Sequence, residues 1–175
     1  MVRLLSMRQR HEATRVIDAL TSAGIEVMVL KGIALQETLY PDPGMRASGD
    51  IDVMVRKTDI LTVPRCLAAI GYATNEREAA NLYSISSFHH LPPYRSPNGN
   101  TQIEVHWHLS SRILHIKPAG LWARAEAALI DNREVLVLSP EDLFLHLCIH
   151  AAKTAFNTGL RHLIDFAALD RANEL

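Results

Sequence analysis

Asp50 and Asp52 stand two residues apart at the start of an apolar run, with Ile51, Val53 and Val55 in the alternate positions. Alternate side chains of a β-strand share a face, so this spacing predicts a strand with both carboxylates on one side and the branched residues in a core. Two carboxylates held that close repel by about 1 kcal/mol in bulk water and by more where solvent is excluded. A cation between them removes the repulsion. Hard divalent ions, Mg²⁺ or Mn²⁺, take oxygen ligands and are often held by one or two carboxylates together with substrate phosphates.

A third acid has the right setting. Ile103, Val105, Trp107 and Leu109 alternate with Gln102, Glu104, His106 and His108, which predicts a strand over Thr101 to Leu109 with Glu104 on its polar face. If this strand neighbours the Asp50–Asp52 strand, three carboxylates meet on one surface and can serve two divalent ions. Such ions lie about 3.5 to 4 Å apart and clamp the attacking and leaving oxygens of an in-line phosphoryl displacement. Glu104 can also take the proton of an attacking hydroxyl.

A phosphate holder is the remaining part. Ile25 to Leu30 reads as a buried strand that runs into Lys31-Gly32, and Ile33 to Tyr40 reads as a helix. A glycine turn entering a helix offers backbone N–H groups and a favourable dipole to phosphate, to which Lys31 and Arg46 add charge. Ser48, just ahead of the acids, and His106 complete the expected binding residues. His106 is expected to line the cleft or to hydrogen-bond a carboxylate.

The elements that position these residues follow from caps and breakers. Leu4 to Ala23 is helical in composition, and Gly24 ends it. Tyr40 to Gly44 is a proline-rich loop. Thr58 is placed to cap a helical region that ends at Gly71 and breaks at Pro64, and Tyr72 to Thr74 forms a short strand. Leu82 to Tyr94 reads as a strand, and Asn98-Gly99 is a hairpin signal before the Glu104 strand. Pro118 to Leu129 reads as a helix and Val135 to Leu138 as a strand. Ser139 then caps a helix with Pro140, Glu141 and Asp142 in its first turn, running to about Lys153. A turn at Asn157 to Gly159 precedes a last helix, Leu160 to Leu175. This divides the chain into a catalytic unit over 1–138 and a helical region over 139–175.

Composition narrows the function classes. The 175 residues are 48% hydrophobic and 21% charged, with a formal net charge of −1. Long nucleic acid is disfavoured as a partner, because there is no global basic field. Cys66 and Cys148 lack the spacing of a metal knuckle or redox motif, which suits reduced thiols in a cytoplasm. No signal-peptide core and no run of apolar residues long enough to span a bilayer is present, so neither export nor a membrane partner is expected.

The histidines supply a rival reading. His106-x-His108 shares a strand face and His146-x₃-His150 a helix face, a spacing that zinc can use in a hydrolase. No acid stands within the His146–His150 turn to act as its base.

Four motifs in order, Val29-Leu30-Lys31-Gly32-Ile33-Ala34-Leu35, Tyr40-Pro41-Asp42-Pro43-Gly44-Met45-Arg46, Gly49-Asp50-Ile51-Asp52-Val53 and Ile103-Glu104-Val105-His106-Trp107, carry a resemblance. Together they resemble the uncharacterised bacterial nucleotidyltransferase family of the DNA polymerase beta-like superfamily, across Ile25 to Leu109 and more loosely across Leu143 to Leu169. The resemblance implies an α/β (α+β) fold, a mixed sheet flanked by helices with a helical C-terminal extension. It also implies metal ligation by Asp50, Asp52 and Glu104. The implied reaction moves a nucleoside monophosphate from a nucleoside triphosphate to a hydroxyl of a small molecule, peptide or protein, with release of pyrophosphate. Better-known members carry Gly-Ser or Gly-Gly at the phosphate turn, whereas Ile33 follows Gly32 here. Triphosphate binding therefore falls to the backbone, Lys31 or other groups. A non-catalytic nucleotide-binding module on the same fold is the third reading.

Overall fold

A computed structural model of the chain describes residues 2–46, 48–75, 89–109, 116–154 and 160–173. Within them six strands form one mixed sheet: β1 (Met28–Val29), β2 (Asp50–Met54), β3 (Tyr94–Arg95), β4 (Gln102–His106), β5 (Glu126–Ile130) and β6 (Arg133–Val137). Their order across the sheet is β3-β4-β2-β1-β6-β5. The helices are α1 (Val2–Thr21), α2 (Lys31–Thr38), α3 (Val63–Ala69), α4 (Pro118–Arg124), α5 (Pro140–Lys153) and α6 (Arg161–Asn173), with a single 3₁₀ turn at Pro43–Met45. No described helix is long and apolar enough to cross a membrane.

The expected mixed α+β sheet is present, and the two acid-bearing strands are neighbours. Strands β2 and β4 run parallel with Asp52 opposite Glu104 and Ile51 opposite Ile103. The alternation works on both faces. Ile51, Val53, Val55, Ile103 and Val105 are fully buried in one core with Val16, Ile17 and Leu20 of α1 and Val63 and Leu67 of α3. Met28, Leu30 and Met54 turn the other way and pack with Leu143 and Leu147 of α5 and Leu169 of α6. Burying each such side chain is worth about 1.5 to 3 kcal/mol, so a one-residue slip of β2 would exchange its core residues for carboxylates. The acid face of the sheet is thus the face that the C-terminal helices cover.

Local chemistry accounts for the element ends. Helix α1 stops where Gly24 takes φ +75 and its N–H donates to the Thr21 carbonyl at 2.9 Å. In α5 the Ser139 hydroxyl accepts from the Asp142 N–H at 3.4 Å, with Pro140 and the two acids in the first turn as expected. Asn98-Gly99 lies in the turn between antiparallel β3 and β4, with Gly99 at φ +69.

Several boundaries differ from the sequence reading. Pro118 opens a helix, but it ends at Arg124, and Glu126–Ile130 is a strand paired antiparallel with β6. Asp131 and Asn132 both hold positive φ, the geometry of a tight hairpin turn, and the pairing it creates overrides the helical propensity of Glu-Ala-Ala-Leu. The helix expected from Thr58 begins at Val63, with Pro64 inside its first turn, where a missing N–H costs nothing. The strand expected over Ile25 to Leu30 contracts to Met28–Val29, and Tyr72 to Thr74 contributes one bridge, Ala73 to Arg95. Residues 82–88 of the expected strand before β3 and the turn at Asn157 to Gly159 lie outside the described residues; the strand's described end contributes β3.

Candidate active site

Asp52 is the centre of the site. Its Oδ1 receives Lys31 Nζ at 2.9 Å and His106 Nε2 at 3.0 Å, while Oδ2 is buried without a hydrogen-bond partner. Burial alone would raise its pKa. The hydrogen bond from His106 and the charge of Lys31 outweigh that and hold the carboxyl well below the usual carboxylate range. His106 Nε2 also lies 3.6 Å from Glu104 Oε2. Donor atoms of Asp52, Glu104 and His106 fall within 4.8 Å of one another, a separation a single metal ion can bridge. A buried carboxylate oxygen with no donor is costly unless something pairs with it, and a hard cation matches both the orphaned atom and its acidic neighbours. The residues present therefore fit a divalent ion.

Asp50 shares this face, one step nearer the strand start. Burial first, then the negative charge of Asp52, raise its pKa, and Lys31 partly offsets both. Glu104 is the more accessible acid, its side chain 23% exposed against 0% for Asp52. Lys31 is pulled down by burial and lifted above its ordinary value by Asp52, Asp50 and Glu104, so it stays charged.

The glycine turn sits beside the acids. Gly32 breaks the helical pattern at φ 1, ψ −83, and a Cβ there would lie 2.3 Å from Ser48 Oγ. Glycine is required by that approach. Ser48 is itself fixed: its Oγ donates to the Asp50 carbonyl at 2.9 Å, and the Gln9 side-chain amide brackets its backbone, accepting from the N–H and donating to the carbonyl. Arg46 reaches neither carboxylate of the Asp50–Asp52 pair. It donates to both oxygens of Asp165 at 2.8 Å and to the Gly32 carbonyl at 3.3 Å. Tyr40 completes this buried knot with a 2.6 Å bond to Asp165.

The histidines do not assemble into the zinc site of the rival reading. Among the described residues, Asp52, Glu104 and His106 are the one group whose ligand atoms converge. His108 Nε2 is bonded to the Ile116 carbonyl at 2.6 Å, and the His150 ring packs on His162. His146 is buried with both ring nitrogens unpartnered, and burial, followed by the charge of Lys31, pushes it down to about 3. His106 instead takes the carboxylate-bonding place expected of it.

Over residues 1–175 the sequence matches the model of a family described as uncharacterised nucleotidyltransferase. The chain belongs to that family. Its fold is shared with ANT(2")-Ia solved in complex with adenylyl-2"-tobramycin, at TM-score 0.68 and 14% identity over 94% of this chain and 89% of that one. The solution structure of ANT(2'')-Ia superimposes at TM-score 0.70 and 12% identity, over 95% of this chain and 85% of that one. The lincomycin-bound lincosamide antibiotic adenylyltransferase LnuA gives TM-score 0.57 and 14% identity, over 90% and 94%. No curated protein matches the sequence.

In this nucleotidyltransferase, sequence reasoning missed Asp165, Gln9 and Gln36, whose partners lie from 10 to 125 positions away and leave no local signature. Gln36 donates to the Arg46 carbonyl from a fully buried position in α2. Lys153 is exposed on α5; its Nζ meets His89 Nε2 at 2.9 Å, and burial, followed by the charge of Lys31, lowers its pKa while Glu104 opposes the shift.

Proposed function

We propose that the chain transfers a nucleoside monophosphate from a nucleoside triphosphate to a hydroxyl of a small-molecule acceptor. The observation that carries this reading is the pairing of Asp52 and Glu104 across parallel strands, with Asp52 Oδ2 buried and without a hydrogen-bond partner. Asp50, Asp52 and Glu104 are the residues that would hold Mg²⁺ or Mn²⁺, which supplies charge stabilisation to the phosphates when bound. Lys31 and His106 fix the Asp52 carboxylate through Oδ1 and leave its other oxygen to the ion.

Glu104, the open acid, accepts the proton of the acceptor hydroxyl. That oxygen forms a bond to the α-phosphorus as the bond from the α-phosphorus to the bridging oxygen breaks, and pyrophosphate leaves with the electron pair. The Gly32 turn lies against Ser48 and the Asp50 carbonyl, and in this reading its backbone and Lys31 meet the phosphates. Lys153, exposed and bonded to His89, adds a second cation. Arg46 acts on this turn from behind, through the Gly32 carbonyl. A small acceptor is supported by the fold shared with proteins solved with adenylylated tobramycin and with lincomycin, and by the near-neutral net charge of −1.

The test is pyrophosphate release from each common ribonucleoside triphosphate in the presence of Mg²⁺ and a pool of hydroxyl-bearing small molecules. Release that disappears in Asp52→Asn and Glu104→Gln supports the reading. Release unchanged in both variants, or none with any triphosphate and pool, refutes it.

A further inference from the structure

The acid cluster already contains a cation of its own. Lys31 Nζ is 2.9 Å from Asp52 Oδ1 on a side chain only 13% exposed, and Asp50 and Glu104 attract it as well. The ammonium is fixed at the first residue of α2, immediately before the Gly32 turn, so it cannot leave without disturbing the phosphate cradle. Its other neighbours are imidazoles. Both His146 and His150 feel its charge from α5.

The carboxylates are divided accordingly. Asp52 Oδ1 is taken by Lys31 and His106, whereas Oδ2 is unpartnered. Asp52, Glu104 and His106 converge within 4.8 Å, and Asp50 is not part of that group. A carboxylate that bridges two ions offers one oxygen to each, and Asp52 has one of its oxygens committed to Lys31 and His106. Charge tells the same story. Before nucleotide binds, three carboxylates against one buried ammonium leave two negative charges, which one divalent ion neutralises, and a second ion beside Asp52 would meet the ammonium at close range. Lys153, bonded to His89, brings a further positive charge within electrostatic reach of Lys31 and Glu104.

We propose that the Lys31 ammonium stands in for one of the two divalent ions expected of such a site, so that a single ion per chain accompanies the bound triphosphate. The inference rests on the nucleotidyl-transfer reading. It concerns the number of ions rather than the reaction.

The experiment counts Mn²⁺ by electron paramagnetic resonance in the full chain saturated with the α,β-methylene analogue of each common ribonucleoside triphosphate. The expected result is one Mn²⁺ per chain with no spin coupling between ions. Lys31→Ala should bind two Mn²⁺ with a spin-coupled spectrum, and Lys31→Arg, which keeps the charge, should return to one. Lys31→Met, close in shape to lysine, gives the same reading as alanine if the alanine variant does not fold. Two coupled ions in the unmodified chain overturn the inference and leave nucleotidyl transfer standing. A second ion failing to appear in a folded, nucleotide-bound Lys31→Ala or Lys31→Met also overturns it. No bound analogue with any amount of Mn²⁺ overturns this inference and the proposed function together.

Discussion

Arg46 and Asp165 face each other in a two-pronged ion pair, with Nε and one terminal nitrogen each 2.8 Å from a carboxylate oxygen. Asp165 is 1% exposed and lies on α6, while the remaining nitrogen of Arg46 holds the carbonyl of Gly32. The C-terminal helix is thereby connected to the glycine turn by a rigid planar group. Removing one partner of a buried pair strands the other charge, at a cost of about 3 to 5 kcal/mol. Asp165→Asn should therefore lower the unfolding free energy obtained from urea titration by about that amount, with a lower midpoint, and Arg46→Lys, which cannot reproduce the fork, should lower it by less. An unchanged midpoint in both would show that the pair does not hold the helix.

The glycine turn makes a separate prediction. A methyl group at position 32 would meet Ser48 Oγ at 2.3 Å and Ser48 Cβ at 3.0 Å, an overpacking that costs about 1 to 3 kcal/mol. Gly32→Ala should weaken triphosphate binding in calorimetry. Adding Ser48→Gly, which removes both clashing atoms, should recover part of the loss. Strict additivity of the two substitutions would contradict the contact.

His146 sets a pH dependence of stability. Its folded-state value is depressed to about 3, below the ordinary value of about 6.5 that the unfolded chain regains. Between those values the unfolded state binds a proton that the folded state refuses, so stability rises with pH, by up to about 1.4 kcal/mol per pH unit for one group. His146's contribution is complete above about pH 6.5 and is lost as pH falls toward 3. Asp52 adds the carboxylate case: its depressed folded value gives stability present above the unfolded value and lost as pH falls toward the folded one. Chemical denaturation at pH 7 and pH 5 should show His146→Leu with a smaller loss between the two than the unmodified chain. An equal loss would remove His146 as the cause.

Much of the site was legible because its signals are local. The two-residue spacing of Asp50 and Asp52, the alternation around Glu104 and the hairpin at Asn98-Gly99 each follow from strand geometry, and β2 and β4 pair as that geometry requires. The Ser139 cap was equally readable. Glu126 to Leu129 was not, because alanine and glutamate favour a helix and the Asp131-Asn132 turn that makes them a strand acts from the C-terminal side. Arg46 was visible as a cation near the acids, but its partner at Asp165 is reached only through packing of α6. The His89 to Lys153 bond is non-local in the same way.

Lys153 supplies the next test. Its Nζ is bonded to His89, and its charge is within electrostatic reach of Lys31 and Glu104. A charge-assisted contact to phosphate is worth about 1.5 to 3 kcal/mol, so Lys153→Ala should raise KM for the triphosphate about tenfold or more, with little change in the melting temperature. A melting temperature that falls while KM stays constant would make Lys153 a structural residue.

Nucleotidyl transfer, hydrolysis and phosphoryl transfer send the phosphorus atoms of the triphosphate to different products. Triphosphate labelled at the α-position, and separately at the γ-position, is incubated with the protein, Mg²⁺ and an acceptor pool, and labelled products are separated from nucleotide. Nucleotidyl transfer puts α-label on the acceptor and γ-label in pyrophosphate, and Asp52→Asn gives neither. Gamma-label on the acceptor, or γ-label released as inorganic phosphate with the α-label left on nucleoside diphosphate, would contradict it.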